Sequence, residues 1–392
     1  MAGIYIHIPF CESRCIYCGF YSTTSLPSRD KYVEAVCHEM TLRPDNLALG
    51  GNYPIETVYL GGGTPSQLTG SQLFQLFECL QQNYGHAFAK QMEVTMECNP
   101  DDVTDEFCET LSQLPINRIS MGAQTFSDKR LQFLHRRHQA QEVKKAVERL
   151  RNIGIENISI DLMFGFPEET LMDWEYDLQQ AIDLGVEHIS AYSLMYEEGT
   201  RLYRLLEQKK VKEIDEELSL QMYDMLCDKL TKAGYEHYEI SNFARPGYRS
   251  RHNSSYWHEI PYIGLGAAAH SYKREKEGIV ERSWNVSNIQ RYIDSILNGT
   301  LPSENEKLDI NTRYNDLITT ALRTSDGIYL SQMKKEFGEN LFKQLLHDAK
   351  GKIERGLMEI KYVNSRPQNL RLTHKGISIS DDIMGDFMIV DE

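Results

Sequence analysis

The first two thirds of the chain alternate between short apolar segments typical of strands and longer amphipathic segments typical of helices. Six strands are predicted, at Ile4–Ile8, Thr57–Leu60, Met92–Glu97, Asn117–Met121, Asn157–Met163 and Glu187–Leu194. The helical patterns between them include Arg29–Leu42, Ser71–Asn83, Ala140–Ile153 and Leu171–Leu184. Because a helix follows each strand at the spacing of a β-α unit, this order predicts an α/β fold with a parallel sheet, either open or curled into a barrel.

Polar and glycine-rich segments stand near the ends of the predicted strands. The second strand runs into Gly61–Pro65, the third ends at Glu97, and the fourth runs into Gly122–Gln124. The fifth strand carries Asp161. Barrels and open α/β sheets build their sites at the carboxyl ends of strands, so we expect one site to collect these residues.

The sequence pattern changes after residue 195, where the regular alternation ends. A long helix is predicted at Ile214–Ala233, and an aromatic, histidine-rich stretch follows it. Asn298–Pro302 resembles a linker, which divides the chain into predicted domains at 1–297 and 298–392. The second domain combines helices with a predicted hairpin and is therefore expected to be helical and winged-helix-like. Its charge is nearly balanced, so we expect an interaction or lid module rather than a DNA-binding one.

The charge of the whole chain argues against a general nucleic-acid binder. The chain has 42 basic and 57 acidic side chains, a formal net charge of −15, whereas nucleic-acid binding needs a basic face. No apolar run is long enough for a membrane-spanning helix, while peripheral contact with a membrane stays open. The first residues do not resemble a signal peptide. We therefore expect a cytoplasmic protein, in whose reducing surroundings clustered cysteines bind metal rather than form disulfides.

Three cysteines follow the first predicted strand in the pattern C-x3-C-x2-C, at Cys11, Cys15 and Cys18. Thiolates are soft ligands that suit iron–sulfur clusters and zinc. A structural zinc site needs four ligands, which Cys98 or His7 could complete. Without a fourth ligand, three cysteines holding a four-iron cluster leave one iron open to an exogenous ligand.

Together, the cysteine pattern and the Gly-Gly-Gly-Thr-Pro turn resemble the radical S-adenosylmethionine superfamily. The resemblance implies a partial (β/α)6 TIM-like barrel and a [4Fe–4S] cluster held by Cys11, Cys15 and Cys18. It also implies that the open iron binds S-adenosylmethionine, whose reductive cleavage gives methionine and a 5′-deoxyadenosyl radical. The glycines would let the backbone approach the methionine moiety closely.

Further motifs are similar to the oxygen-independent coproporphyrinogen III oxidase group: Tyr5–Cys11, Gly61–Pro65, Glu97–Pro100, Ser120–Gln124 and Asp161–Pro167. The similarity implies that cluster-bound S-adenosylmethionine contacts Tyr5, Gly62 and Glu97. Positions around a second S-adenosylmethionine in the oxidases are matched here by Tyr17, Gly63, Thr64, Gln124, Arg136 and Asp161. Whether this chain binds a second molecule is left open. Purely structural roles are the alternative for these residues. Tyr5 would then lie in the core, Glu97 and Asp161 would cap helices or form ion pairs, and Arg136 would be solvated on a helix.

Three features separate the chain from the oxidases. Phe20 stands where they have a further cysteine. Only four residues precede Tyr5 here, whereas the oxidases have a substantial extension before this motif. The motif His252–Trp257, H-N-x-x-Y-W, and the segment Gly264–His270 resemble the sister branch of heme chaperones called HemW.

This branch implies heme binding and delivery, with recipient apoproteins and an electron donor as partners. His252 and His270 are the predicted heme-handling residues, because imidazole can ligate heme iron. The alternatives are oxidative decarboxylation of porphyrinogen propionates and another radical reaction on a tetrapyrrole.

Overall fold

Six parallel strands in sequential order form the core of the protein, which is described here from a computed structural model covering residues 1–275 and 278–390. Their bounds are β1 Ala2–Ile8, β2 Ile55–Gly62, β3 Phe88–Cys98, β4 Arg118–Gln124, β5 Asn157–Phe164 and β6 His188–Ser193. Each strand pairs in parallel with the next, from β1 through β6. The prediction of a partial barrel with six parallel strands is confirmed.

Six more strands extend this sheet at both edges, and the sequence analysis did not predict them. They are β7 Glu236–Glu239, β8 Asn242–Ala244, β9 Tyr262–Leu265, β10 His270–Arg274, β11 Val280–Asn285 and β12 Ser303–Lys307. Within the described residues the sheet order is β12-β11-β10-β9-β1-β2-β3-β4-β5-β6-β8-β7. Strand β9 runs parallel to β1, whereas β10, β11 and β12 continue as antiparallel neighbours.

Many of the helices begin at a residue whose side chain accepts a backbone N–H, as at Thr69, Thr104 and Thr170. Their bounds are α1 Arg29–Leu42, α2 Asp45–Ala48, α3 Gly70–Tyr84, α4 Asp105–Leu111, α5 Asp128–Phe133, α6 Ala140–Asn152, α7 Leu171–Asp183, α8 Arg201–Glu207, α9 Glu216–Lys232, α10 Arg251–Trp257, α11 Ile289–Leu297, α12 Ile310–Ala321, α13 Leu330–Glu354, α14 His374–Ile377 and α15 Ser380–Gly385. Thr69 and Gln72 form a capping box at the start of α3, which satisfies two otherwise unpaired N–H groups. Among the described helices, none has both the length and the apolar character needed to cross a membrane.

A second, smaller core belongs to the C-terminal part of the chain. Strands β13 Ile328–Tyr329, β14 Met358–Val363 and β15 Arg366–Leu372 form a three-stranded antiparallel sheet in the order β13-β15-β14. Helices α12 and α13 pack on this sheet through a cluster of buried apolar side chains that includes Tyr314. The large sheet runs on through β12, beyond residue 298. The division at that residue stays a prediction.

Candidate functional site

A cavity of about 180 Å³ lies at the carboxyl ends of the parallel strands. Eleven of the fourteen predicted site residues line it: Cys11, Cys15, Tyr17, Cys18, Gly62, Gly63, Thr64, Glu97, Gln124, Arg136 and Asp161. They come together because parallel strands end at the same edge of the sheet. Tyr5, His252 and His270 are outside this lining.

The cysteine loop is fixed at its ends and in its middle. The Cys11 N–H donates to the Thr23 carbonyl over 2.9 Å, which closes the loop. In the middle, the Ile16 N–H donates to the Leu134 carbonyl over 3.2 Å, and the Leu202 N–H donates to the Ile16 carbonyl over 2.8 Å. The Ile16 side chain is 3% exposed and packs in a small apolar cluster with both of these leucines. Burial of this one residue holds its neighbours in the loop against the cavity.

The three thiols suit an iron–sulfur cluster. None of them forms a disulfide. The Thr64 hydroxyl donates to Cys11 Sγ over 3.5 Å, and Arg136 Nη1 donates to Cys15 Sγ over 3.6 Å. Burial raises the pKa of the Cys11 and Cys18 thiols, so a positive metal centre is what would hold them as thiolates. In a four-iron cluster each cysteine binds a different iron, and donors to sulfur tune such a cluster.

The candidates for a fourth ligand are occupied or deeply buried. Both ring nitrogens of His7 are hydrogen-bonded, to the Tyr5 hydroxyl and to the Tyr21 carbonyl, each over 2.9 Å. Cys98 lines the cavity but is only 4% exposed, and burial raises its pKa well above the usual value. Phe20 lines the cavity and is 70% exposed. Across residues 1–275 and 278–390, no three His, Cys, Asp or Glu side chains are grouped to hold one metal ion.

The glycine turn packs the end of β2 tightly against the end of β1. Gly62 has φ +110°, and a Cβ there would overlap the His7 ring. A Cβ on Gly63 would lie 2.8 Å from the Ile8 carbonyl oxygen, which accepts the Gly63 N–H over 2.8 Å. The glycines are therefore required by the packing of the two strands, in addition to any approach by a ligand.

Two partly buried carboxylates face the cavity. Glu97 accepts hydrogen bonds from the Tyr59 hydroxyl over 2.7 Å and from the Gly62 N–H over 3.0 Å. Burial raises its pKa to about 7, although the Tyr59 bond acts in the opposite direction. Asp161 lies beside Gly122 of β4, and burial raises its pKa to about 6. Both groups can accept N–H bonds from a bound ligand.

Arg136 crosses the cavity wall from a loop. Its Nη2 donates to Asn99 Oδ1 and to the Gly122 carbonyl, each over 2.7 Å. The expectation that Arg136 lies on a helix is wrong, because α5 ends at Phe133 and the chain turns inward after it. Gln124 stands beside a bulge in β4 with φ +65°. Bulges of this kind commonly redirect side chains next to active sites.

Arg118 is a residue of this region that the sequence analysis missed. It begins β4, is 1% exposed, and precedes the cavity-lining Ser120 by two residues, so both side chains lie on one face of the strand. Its Nε and Nη1 atoms have no hydrogen-bond partner among the described residues. Its positive charge lowers the pKa of Glu97 and Asp161 against the effect of burial. An arginine inside an apolar strand was the available signal.

Tyr5 and His252 lie deeper in the barrel than the cavity. The Tyr5 ring stacks on Tyr59 with centroids 6.2 Å apart. His252 is 1% exposed, its Nδ1 lies 2.8 Å from the Thr57 hydroxyl, and its Nε2 lies 2.9 Å from the Tyr256 hydroxyl. Burial lowers its pKa to about 3. Because both ring nitrogens are occupied, α10 would have to move before His252 could reach a heme iron.

His270 lies on β10, nearer the carboxyl ends of the strands than His252, which bonds to Thr57 near their amino ends. It begins β10 as an exposed residue, and its ring centroid is 6.1 Å from that of Trp284. The imidazole makes no hydrogen bond within the described part of the chain. The structure therefore does not bring the two predicted heme-handling histidines together, and the role of each stays a prediction.

Comparisons with known proteins agree on one group. Residues 5–181 match the Radical SAM superfamily. The heme chaperone HemW of Bacillus subtilis (strain 168) is 34% identical over 99% of this chain and 99% of that protein. HemW of Lactococcus lactis subsp. lactis is 31% identical over 99% of this chain and 97% of that protein. The structure of the Escherichia coli coproporphyrinogen III oxidase HemN, a radical SAM enzyme, has a TM-score of 0.80 at 20% identity and covers 98% of this chain and 89% of that one, which establishes the shared fold.

Proposed function

The chain belongs to the HemW family of radical S-adenosylmethionine proteins, and from this membership we propose that it is a heme chaperone, which binds heme and transfers it to apoproteins. The observation that carries the proposal is similarity to heme chaperones along nearly the whole chain. The oxidase shares the fold at 20% identity, and a shared fold does not by itself identify a function.

Radical SAM membership implies a [4Fe–4S] cluster and S-adenosylmethionine. We assign the cluster to Cys11, Cys15 and Cys18, which line one cavity as unpaired thiols. When bound, the cluster and S-adenosylmethionine supply reductive cleavage to methionine and a 5′-deoxyadenosyl radical. Thr64 and Arg136 donate hydrogen bonds to two of the thiols.

The remaining predicted residues surround the same cavity. Glu97 has the chemistry to accept the amino N–H groups of S-adenosylmethionine, beside the backbone of Gly62. Tyr5 supports this wall through its contact with Tyr59, the residue that donates to Glu97. A second ligand molecule would contact the others, which are Tyr17, Gly63, Thr64, Gln124, Arg136 and Asp161.

The partners follow from the same proposal. Heme or a porphyrin is the cargo, recipient heme apoproteins take it, and an electron donor reduces the cluster. We also propose a cytoplasmic location, because all eight cysteines are unpaired, which suits a reducing compartment.

Two anaerobic assays on the reconstituted full chain test the function side by side. In the first, ferric heme is titrated into the protein and the Soret band is followed. In the second, coproporphyrinogen III is supplied with S-adenosylmethionine and a reductant, and its decarboxylation is measured. The proposal predicts stoichiometric heme binding without decarboxylation. Decarboxylation that is lost in Cys11→Ala, Cys15→Ala and Cys18→Ala would overturn it in favour of the oxidase function.

A further inference from the structure

A second and larger cavity, of about 540 Å³, lies at the opposite end of the barrel from the cysteines. Its lining includes Thr57 at the amino end of β2, Trp257 at the end of α10, and residues of the C-terminal part such as Ala321 and Met333. The cavity is therefore formed between the barrel and the C-terminal part. None of the fourteen predicted site residues lines it.

We propose that this cavity is where the protein binds heme, with the imidazole of His258 as an iron ligand. The inference rests on the proposed heme chaperone function and adds to it the place and the ligand. Neither His258 nor this cavity was selected as a heme site by the sequence analysis.

The size and the lining of the cavity suit a flat, largely apolar molecule. Pockets that bury a ligand of this class have volumes of roughly 300–1,000 Å³ and mostly apolar walls. Here the barrel side contributes Trp257 and Ile260, and the C-terminal part contributes Leu317, Met333 and Phe337. Aromatic and aliphatic side chains of this kind can pack against the two faces of a porphyrin.

His258 is the histidine best placed for iron. Its side chain is 38% exposed in the cavity lining, and within the described residues its imidazole makes no hydrogen bond. The nearest carboxylate is Asp326 Oδ2, 4.0 Å from Nε2, and such a carboxylate can orient a ligating imidazole. In contrast, both nitrogens of His252 are hydrogen-bonded, and His270 does not line the cavity.

The charges around the cavity allow an anionic ligand. The carboxylates of Glu259 and Glu336 are already paired with Arg274, over 3.3 and 2.7 Å. Arg249 lines the cavity as a partly exposed cation, which also pairs with Glu236 over 3.2 Å and with Asp326 over 3.6 Å. The Trp257 indole N–H is buried without a partner among the described residues. Heme propionates would find in these two groups a charge-assisted bond and an unsatisfied donor.

The contacts of His252 give its motif a structural role at the cavity, although His252 itself does not ligate the heme iron. His252 bonds to Thr57, which is in the cavity wall, and its backbone N–H donates to Glu93 over 3.0 Å. These bonds hold α10 against the amino ends of β2 and β3. The adjacent Trp257 and His258 are thereby presented to the cavity from the far end of the same helix.

The test is a ferric heme titration of the full chain, with variants inside and outside the cavity. His258→Ala removes the proposed ligand from a partly exposed position, and Ala321→Phe fills the cavity from the opposite wall. His86→Ala is the matched control, because the His86 side chain is 65% exposed and does not line the cavity, and His270→Ala tests the alternative ligand outside the cavity. Circular dichroism checks that each variant is folded.

We expect His258→Ala to weaken heme binding at least tenfold and to change the Soret and electron paramagnetic resonance spectra of the bound heme. Added imidazole should restore the spectra in His258→Ala. Ala321→Phe should reduce the amount of heme bound, and the His86→Ala control should match the wild type. Wild-type heme binding that survives both cavity variants unchanged, or that is lost in His270→Ala, would overturn this inference and leave the proposed function standing. Failure of the wild type to bind heme would overturn both.

Discussion

Glu97 gives a prediction with a definite magnitude, because its carboxyl group titrates in an accessible range. With a pKa of about 7, the group is about one tenth ionised at pH 6, about half at pH 7 and about nine tenths at pH 8. Only the ionised form accepts N–H bonds at both oxygens, of which one already accepts from Tyr59 and the other from Gly62. The affinity for S-adenosylmethionine should therefore rise about tenfold from pH 6 to pH 8 through this group.

Glu97→Gln keeps the shape of the side chain and removes its charge. A hydrogen bond to a charged group contributes about 1.5–3 kcal/mol, so the variant should bind S-adenosylmethionine about 10- to 100-fold more weakly at pH 8. It should also lose the part of the pH dependence that Glu97 supplies.

The assay is calorimetric titration of the reconstituted protein with S-adenosylmethionine at pH 6, 7 and 8. Glu106→Gln, which changes an exposed carboxylate on α4, is the control and should match the wild type at every pH. A variant that keeps wild-type affinity, or one that keeps the full pH dependence, would refute the role assigned to the Glu97 carboxylate.

Three further predictions concern the stability and the charge of the same region. Gly62→Ala should lower the free energy of unfolding by more than Gly154→Ala, because both glycines have positive φ but only a Cβ at Gly62 would overlap His7. In thermal denaturation, backbone strain alone should lower the free energy of unfolding of Gly154→Ala by about 1–3 kcal/mol. Equal losses in the two variants would contradict the packing argument. Arg118→Met should raise the pKa of Glu97 and shift the pH profile of S-adenosylmethionine binding to higher pH. An unshifted profile would show that the charge of Arg118 does not act on the site. Ile16→Ala should lower the free energy of unfolding by about 2–5 kcal/mol and lower the iron content after reconstitution. Unchanged iron content would mean that the cysteine loop does not depend on Ile16.

The parallel core could be predicted because its signal is local. The sequence alternates short apolar segments with helical ones, and this pattern predicts both element types. Helix α1, for example, begins and ends at the predicted residues Arg29 and Leu42. The outer strands carry no such signal. Strand β12, Ser303–Lys307, is polar and exposed at every position, and it is a strand because β11 supplies its hydrogen-bond partners. Pairing of this kind depends on the tertiary fold rather than on a sequence pattern.

The same distinction explains the site. The cysteine, glycine and carboxylate motifs gather because the ends of parallel strands share one edge of the sheet. Arg118 was missed because its importance comes from the carboxylates on the neighbouring strands β3 and β5. The histidine-rich stretch gave candidates by composition, but the sequence could not tell that His252 is enclosed while His258 faces a cavity formed with the C-terminal part.

The most direct test of the central claim is transfer of heme from the loaded protein to an acceptor. The full chain is loaded with one equivalent of heme, freed of excess by gel filtration, and mixed with an apo-form heme protein carrying an affinity tag. After separation, the Soret spectrum of each fraction reports where the heme is. The heme chaperone function predicts that the acceptor gains heme with its native spectrum while the chain loses an equal amount. Heme that stays on the chain, together with turnover of coproporphyrinogen III by the same preparation, would contradict it.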